Sequence, residues 1–144
     1  MAIIVNFKIA DVQNRLGLMQ AKINNPNELL HGIGTLLSQS SVNRFESKTD
    51  PDGNRWADWK ESTKRARFLK GNDSLGLLVD TTHLSNPANV LYEVNKNTVR
   101  IGSSLGYAVF HQEGTINMEA RPIFGISRED EEDLKEEVQE WIAL

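Results

Sequence analysis

The fold class is decided by the segment Val90-Leu91-Tyr92-Glu93-Val94, Asn95-Lys96-Asn97 and Thr98-Val99-Arg100-Ile101-Gly102. Two runs rich in β-branched and aromatic residues flank a short polar stretch, and this pattern predicts a β-hairpin. Helical patterns lie before and after it. The order of elements therefore predicts an α+β domain, in which N-terminal helices pack on a small, largely antiparallel sheet and a C-terminal amphipathic helix follows.

The chain before the hairpin begins with a strand-like pattern and continues with helical spacing. Residues 3–9 are β-branched and partly alternating, which predicts a short strand. A first helix is expected to begin at Asp11, as its cap, and to end near Asn24-Asn25. Its apolar face comprises Val12, Leu16, Met19 and Ile23.

A second helix is expected to begin at residue 25. Asn25 can cap it, Pro26 fits the first helical position, and Glu28 sits where a capping box needs a carboxylate. The apolar stripe of this helix comprises Leu29, Leu30, Ile33, Leu36, Leu37 and Phe45.

The segment Thr49-Asp50-Pro51-Asp52-Gly53-Asn54 has the composition of a turn, since proline presets φ and glycine accepts the left-handed conformation. A basic helix is predicted from Trp56 to about Phe68, and residues 75–84 are predicted to form a short apolar helical segment. Residues 107–112 are predicted to form a helical turn ended by Gly114.

The C-terminal part begins with an extended segment at residues 118–124, because Pro122 disfavours a helix around it. Ser127 and Asp130 then form the capping box of a last helix with acidic residues in its first turn. Its narrow apolar stripe comprises Leu134, Val138, Trp141 and Ile142.

One core is expected to bury residues from separate elements. The predicted members are Leu29, Ile33, Leu36, Leu37, Phe45, Trp56, Val99, Ile101, Tyr107, Phe124 and Leu134.

Length and composition narrow the class of protein. A chain of 144 residues fits a single domain, predicted to span residues 1–144. The absence of cysteine excludes disulfides, thiolate zinc sites and cysteine nucleophiles. No apolar run approaches the ~20 residues that span a bilayer, and no signal peptide is recognised, so the protein is predicted to be soluble. The net charge of −4 argues against a nucleic-acid-binding protein.

The charges are unevenly distributed along the chain. Cations cluster at Arg55, Lys60, Lys64, Arg65, Arg67 and Lys70. Carboxylates cluster at Glu129, Asp130, Glu131, Glu132, Asp133, Glu136, Glu137 and Glu140. Each cluster is either a solvated helix face or one of two complementary patches that meet between neighbouring subunits.

Patterns for metal, nucleotide or covalent chemistry are weak. The segment from Asp50 resembles the start of a calcium loop, but Arg55 occupies the sixth position, where an EF-hand needs glycine. No zinc-binding histidine pair and no phosphate-binding glycine loop occurs, and no cofactor is expected. A hydrolase with a Ser/His/Asp site around Asp80, His83 and His111 stays an alternative. A deep pocket that joins those side chains would favour it.

Trp56 and Trp59 precede the basic stretch and raise a second alternative. Aromatic and cationic residues together can form a stacking and phosphate-binding surface for single-stranded nucleic acid. We prefer the interpretation that both tryptophans are core anchors, because large aromatic side chains are mostly buried. Salt-dependent binding to DNA would favour the alternative.

The ordered set of motifs is more informative than any one of them. From residue 27 to 144 the chain resembles the phage virion morphogenesis family, which includes Mu-like assembly proteins and the tail completion proteins of P2-like phages. Two departures from the family pattern are Thr82, where glycine is usual, and Asn86-Pro87 after Leu84. The motifs that carry the resemblance are Phe45, Thr49-Asp50-Pro51-Asp52-Gly53-Asn54-Arg55-Trp56, Ser62-Thr63, Leu78-Val79-Asp80-Thr81-Thr82-His83-Leu84, Ile101-Gly102, Tyr107-Ala108-Val109-Phe110-His111-Gln112-Glu113-Gly114 and Ala120-Arg121-Pro122-Ile123-Phe124-Gly125.

The resemblance implies a structural role in virion assembly, with no catalysis and no cofactor. Trp56, Tyr107, His111, Gln112 and Arg121 are then architectural residues. His111 and Gln112 are expected to bond to backbone near the sheet, and Arg121 to pair with a carboxylate.

The function expected from this resemblance is head–tail joining or tail completion by a ring-forming subunit. Its partners would be further copies of itself on a template, and phage connector or tail-tube proteins, with no membrane contact and only incidental DNA contact. It would act in the bacterial host cytoplasm during assembly and at the virion head–tail junction. A transient capsid assembly factor is the alternative. The candidate interface residues are Lys60, Lys64, Arg65, Arg67, Glu132, Glu136 and Glu140.

Overall fold

The structure, a computed structural model, describes residues 9–72, 76–79 and 83–143. These form helices and one hairpin, which confirms the α+β prediction. The predicted strand at residues 3–9 lies outside the described residues, except that Ile9 begins a helix. The elements are α1 (Ile9–Asn24), α2 (Asn27–Ser47), α3 (Glu61–Leu69), a 3-10 turn (Pro87–Asn89), β1 (Val90–Asn95), β2 (Thr98–Ser103), α4 (Ala108–Glu113) and α5 (Arg128–Ile142).

The hairpin forms where the sequence predicts it. β1 and β2 pair antiparallel from Val90 opposite Ser103 to Asn95 opposite Thr98. The two-residue connection begins with Lys96 in the left-handed region, at φ 53°, as tight hairpin turns require. Among the described residues the sheet has these two strands alone.

Helix α2 is the central element, because it packs against the hairpin and against α5. A Cβ built on Gly34 would lie 2.3 Å from the Tyr92 ring. The absence of a side chain at Gly34 therefore allows the hairpin to approach the helix closely. Gly32 has a similar place opposite the Glu137 side chain on α5.

The beginning of α2 differs from the prediction. Pro26 is the N-cap, at φ −82° and ψ 11°, and no side chain caps the helix. Asn25 instead donates its backbone N–H to the Lys22 carbonyl. The predicted Asn25 cap is wrong because the chain turns back on the end of α1 before α2 begins.

Two other helix predictions need correction. The basic helix begins at Glu61 and not at Trp56, since the Asp58 side chain accepts the Trp59 N–H and the chain stays extended up to Lys60. Residues 76–79 and 83–84 form turns rather than a helix, with Leu78 at φ 60°. The rest of the segment 75–84 lies outside the described residues.

Both turn predictions that rest on glycine are confirmed. Asp50 accepts the Asn54 N–H on its side chain at 2.8 Å, and Gly53 has φ 84°. Gly114 ends α4 with φ 77°. At the C-terminal helix, Ser127 and Asp130 form the predicted capping box.

The hydrophobic core lies where α2 ends and the 118–124 segment crosses it. It contains Phe45, Trp56, Leu77, Leu84, Ala108 and Ile123. Phe45 and Trp56 meet edge to face, with ring centroids 5.6 Å apart.

Most of the predicted core residues are buried or half-buried. Leu37, Phe45 and Trp56 are buried, while the members from the N-terminal part of α2, the hairpin and α5 are half-buried. The prediction that Tyr107 is buried in the core is wrong, since 41% of this residue is exposed at the edge of α4.

Helix α1 contributes nothing to this core. None of its residues is buried, and its predicted apolar face is largely in solvent. Within the part of the chain that the structure describes, no helix is both long and apolar enough to cross a membrane.

Candidate functional site

The segment that leads into α5 is held by side chains from three other elements. Trp56 donates its indole N–H to the Pro122 carbonyl at 2.9 Å, and Arg44 donates to the Ile123 carbonyl at 2.7 Å. Gln112 accepts the N–H groups of Ile123 and Phe124, each at 2.9 Å, and donates to the Phe124 carbonyl at 2.8 Å. Ile123 is fully buried as a result.

Arg121 is the fourth tie, and its partners differ from the expected ones. Its Nε donates to the Ala57 carbonyl at 2.8 Å and its Nη2 to the Asp58 carbonyl at 3.1 Å. No carboxylate pairs with it among the described residues. The buried guanidinium therefore connects the extended segment before α3 to the segment before α5, and both stay irregular with satisfied backbone groups.

A buried ion pair between Arg44 and Asp130 was not predicted. Arg44 Nη2 lies 2.6 Å from Asp130 Oδ2, and both side chains are almost fully buried. Burial alone would raise the pKa of Asp130, but hydrogen bonds from Ser40 and Ser127 and the charge of Arg44 outweigh it and lower that pKa. A sequence signal did exist, because Arg44 follows Leu30, Leu37 and Ser41 on the buried face of α2.

A groove of about 550 Å³ opens beside these ties. Its walls mix cationic, aromatic and apolar side chains. The lining residues are Asp58, Trp59, Lys60, Thr63, Arg67, Leu78, Val79, His83, Leu84, Tyr107, His111, Asn117, Met118, Glu119 and Arg121.

His111 is half-buried in the wall of this groove. Burial, and secondarily the charge of Arg121, lower the pKa of its imidazole. Its side chain makes no hydrogen bond to the described residues, unlike the expectation, although its carbonyl accepts the Arg121 N–H at 2.7 Å. Tyr107 meets it edge to face at 6.2 Å.

The four candidate cations of the basic surface (Lys60, Lys64, Arg65 and Arg67) have different environments. Lys60 Nζ donates to the Asn117 carbonyl at 2.8 Å, and Arg67 stacks on the Trp59 ring at 4.3 Å. Arg65 is exposed.

Lys64 lies between two carboxylates, 2.9 Å from Glu61 and 3.0 Å from Asp58. Hydrogen bonds to Glu61 and Asp58 raise the pKa of Lys64, and the same bond from Lys64 lowers the pKa of Asp58. All of these groups are well exposed, so the ion pairs contribute little to folding.

The acidic surface (Glu132, Glu136 and Glu140) occupies one face of α5, with successive members four residues apart. All three are exposed. Glu132 meets Arg128 only at 3.9 Å, and both are in solvent. Like charges four residues apart repel one another, so this surface favours a cationic partner.

Comparison with known proteins shows the family to which the chain belongs. Residues 7–143 match the phage virion morphogenesis family. The chain belongs to this family. Membership assigns it a role in phage virion morphogenesis.

A relative of known origin supports this membership. The Mu-like prophage FluMu G protein 1 of Haemophilus influenzae is 24% identical over 115 residues, which covers 80% of this chain and 78% of that protein. No solved structure matches the chain.

Some residues of the motifs shared with the virion morphogenesis family bond to backbone in other segments, and others line the groove. Trp56 bonds to backbone 66 residues away and Arg121 to backbone 64 residues away, while Gln112 bonds to backbone 12 residues away. Tyr107 and His111 instead line the groove. The architectural interpretation of these five residues and the interface interpretation of the charged residues both stay predictions.

The structure also bears on the two alternative functions that the sequence raised, a hydrolase and a nucleic-acid-binding protein. The groove joins His83 and His111, as the hydrolase alternative requires, but its described lining contains no serine, and Asp80 lies outside the described residues. No cluster of metal-binding side chains occurs within the described ranges. Trp56 is buried and so cannot stack on a base, and Arg67 covers one face of Trp59.

Proposed function

We propose that this virion morphogenesis protein acts in head–tail joining or tail completion as a subunit that assembles into a ring. The observation that carries the proposal is the separation of charge onto two different helices. The basic surface lies on α3 and its N-terminal flank, and the acidic surface lies on α5. A ring needs two different complementary surfaces on each subunit, and opposite charges on separate elements supply such a pair.

The contact between these surfaces is weak by itself. Exposed ion pairs contribute about 0–1 kcal/mol each and are screened by salt. The protein is therefore a monomer or loose oligomer in dilute solution and forms its ring on a template, such as a phage connector or tail tube. In this proposal the protein acts in the host cytoplasm during assembly and then at the head–tail junction.

Reversing charge on the acidic surface tests the proposal. Glu132→Lys together with Glu136→Lys should reduce the yield of infectious particles while the purified variant keeps its helical circular dichroism. Glu28→Lys with Glu46→Lys is the matched control, since it makes the same change in net charge at two exposed positions on α2. Adding Lys64→Glu and Arg65→Glu to the first variant should restore part of the yield. Equal yields from both double variants would remove the acidic surface from the interface.

Catalysis has no part in this function. The role of the family in virion morphogenesis supports this. His83→Ala and His111→Ala variants that still fold should assemble particles normally. A turnover of esters, phosphodiesters or peptidoglycan that disappears in either variant would overturn the proposal that the protein is not an enzyme.

A second experiment distinguishes a permanent virion component from a transient assembly factor. A ring at the junction stays in the finished particle, so mass spectrometry of purified virions should detect the protein. Its absence there, with presence in assembly intermediates, would favour a transient capsid assembly factor.

A further inference from the structure

Both outer edges of the β1–β2 hairpin are open. Ser104 donates its N–H to the Asn89 carbonyl at 3.2 Å, and this bond sets the alternation of the antiparallel ladder. Bonds between the strands therefore recur at every second pair of the register, and the pairs between them turn their N–H and C=O groups away from the hairpin. The four outward residues are Tyr92 and Val94 on β1 and Val99 and Ile101 on β2.

These edges have no partner in the described parts of the chain. No backbone N–H or carbonyl of the four outward residues is hydrogen-bonded to residues 9–72, 76–79 or 83–143, and none of the four is buried. Proline, lysine and bulges commonly protect an edge strand, and neither of these six-residue strands contains any of them. Edges of this kind are templates for pairing with another strand.

The two faces of the hairpin restrict which strand fits its edges. The side chains of the four outward residues are half-buried on the face that packs against α2. Glu93 and Arg100 are exposed on the other face, where they lie opposite each other in the register. Neither forms an ion pair with any residue that the structure describes. A strand that fits either edge is therefore apolar towards α2 and carries a complementary charge on the polar face.

The hairpin itself meets both requirements. When β2 of one copy lies antiparallel beside β1 of a second copy in the register of the hairpin, the four outward residues meet one another across the new ladder. Arg100 then lies opposite the neighbour's Glu93, in a pair without mutual backbone bonds, where side chains approach more closely. A slip of one residue would turn the apolar side chains to the polar face, so the sequence favours this register.

We propose that the open edge of β2 pairs with the open edge of β1 in a second copy of this chain, in the register of the hairpin. The two edges are different surfaces, so the contact is head to tail. Repeated around a ring, it joins the hairpins into one closed sheet in which no edge is left free. This contact rests on the ring proposed above and joins its subunits through backbone hydrogen bonds.

Charge substitutions on the polar face test the contact. In the Arg100→Glu variant a carboxylate faces the neighbour's Glu93, and in the Glu93→Arg variant a guanidinium faces the neighbour's Arg100. Because this repulsion recurs at every contact of a ring, each variant alone should reduce the yield of infectious particles by about tenfold or more. Co-expression of the two variants should restore the yield, since each contact can then join opposite charges.

The co-expressed variants control for effects on folding. Each variant also has like charges opposite each other inside its own hairpin, and mixing the variants does not change that. Restoration of the yield therefore requires contact between copies. Normal yields from both single variants, or a low yield that co-expression leaves unchanged, would overturn the proposal.

Disulfide trapping tests the register, because the natural chain contains no cysteine. Full-length Asn95→Cys protein is mixed at high concentration with full-length Thr98→Cys protein and oxidised. In the proposed register these positions lie opposite each other between copies, within the distance that a disulfide spans. The matched control is Leu91→Cys mixed with Thr98→Cys, since Leu91 is half exposed on the same face of β1 but lies about 13 Å further along the strand. The first mixture should form at least about tenfold more mixed disulfide than the control.

The other results of trapping each overturn the proposal. Equal disulfide formation in the two mixtures would show random collision. Asn95→Cys protein that links to itself as readily as to Thr98→Cys protein would show that two β1 edges pair, in place of a head-to-tail contact. Capture of Thr98→Cys by a different phage protein in assembling particles, without the mixed disulfide, would show that another strand occupies the edge.

The sheet contact and the ring can fail separately. If the Glu93→Arg and Arg100→Glu variants assemble normally while Glu132→Lys/Glu136→Lys does not, the sheet contact is wrong and the ring stands. If the mixed disulfide forms and co-expression restores the yield while Glu132→Lys/Glu136→Lys assembles normally, the sheet contact stands without the acidic surface. If all of these variants assemble normally, both proposals fail.

Discussion

The segment around Ile123 and the helix α1 are opposites in the way they are stabilised. Ile123 is fully buried and its neighbours are held by side chains from α2, α4 and the segment before α3. Helix α1 has no buried residue and is tied to the described chain at Lys22. The first region is stabilised by contacts within the subunit, whereas the second leaves apolar side chains exposed. The comparison separates residues whose contacts stabilise the fold from apolar residues that the fold leaves exposed.

The largest expected effect is at the buried ion pair. Arg44→Ala leaves the Asp130 carboxylate buried without its cation, which should reduce the free energy of unfolding by about 3–5 kcal/mol. Urea denaturation followed by circular dichroism measures this loss. Arg65→Ala is the control, because Arg65 is exposed, and it should change stability by less than about 0.5 kcal/mol. Similar midpoints for the two variants would show that the pair does not stabilise this region.

Gln112 should have the next largest effect. Gln112→Ala leaves two N–H groups and one carbonyl of residues 123 and 124 without partners, at a cost of about 1–3 kcal/mol. Gln39→Ala is the matched control, since Gln39 bonds only to the exposed Asn43 side chain. A loss at Gln112 no greater than the loss at Gln39 would mean that water replaces those bonds.

The stability of the segment around Ile123 should depend on pH through the titration of Asp130. The pKa of Asp130 is lowered in the folded protein, so the unfolded chain binds the proton more tightly. The contribution of Asp130 is therefore fully present above its ordinary pKa of 3.8 and is lost as pH falls through the lower folded value. The difference in stability between the natural chain and Asp130→Asn should shrink over that acidic range. A difference independent of pH would contradict the shift.

The smallest effect on folding is expected at α1. Leu16→Asp and Leu18→Asp should each change the free energy of unfolding by less than about 0.5 kcal/mol, because both side chains are exposed by more than half. Thermal unfolding of the dilute protein measures this. A large loss of unfolding free energy from Leu16→Asp alone would show that this face of α1 packs within the subunit. The contrast between the two regions would then be wrong.

Local sequence patterns predicted the elements with strong short-range signals. The hairpin, the Gly53 turn and the capping box of α5 are as expected, because each depends on residues within a few positions of one another. Helix boundaries were less predictable. The starts of α2 and α3 were misplaced because Pro26 and Asp58 form bonds or turns that helical spacing does not reveal.

The candidate site divides in the same way. The sequence singled out Trp56, Gln112 and Arg121 through its resemblance to the family, and the residue types did not specify their partners. Arg121 was expected to find a carboxylate and instead binds carbonyls 63 and 64 residues away. The Arg44–Asp130 pair was missed, since its members are separated by 86 positions.

The sequence by itself determined the α+β class, the family and the concentration of opposite charges in two segments. These follow from local periodicity, turn residues and motif order, all of which are written along the chain. Only the tertiary structure decided that Arg44 pairs with Asp130, that Gln112 hydrogen-bonds the backbone before α5, and that the apolar face of α1 stays exposed. The reason is physical: burial and hydrogen-bond partners depend on which distant segments meet, and no short-range pattern records that choice.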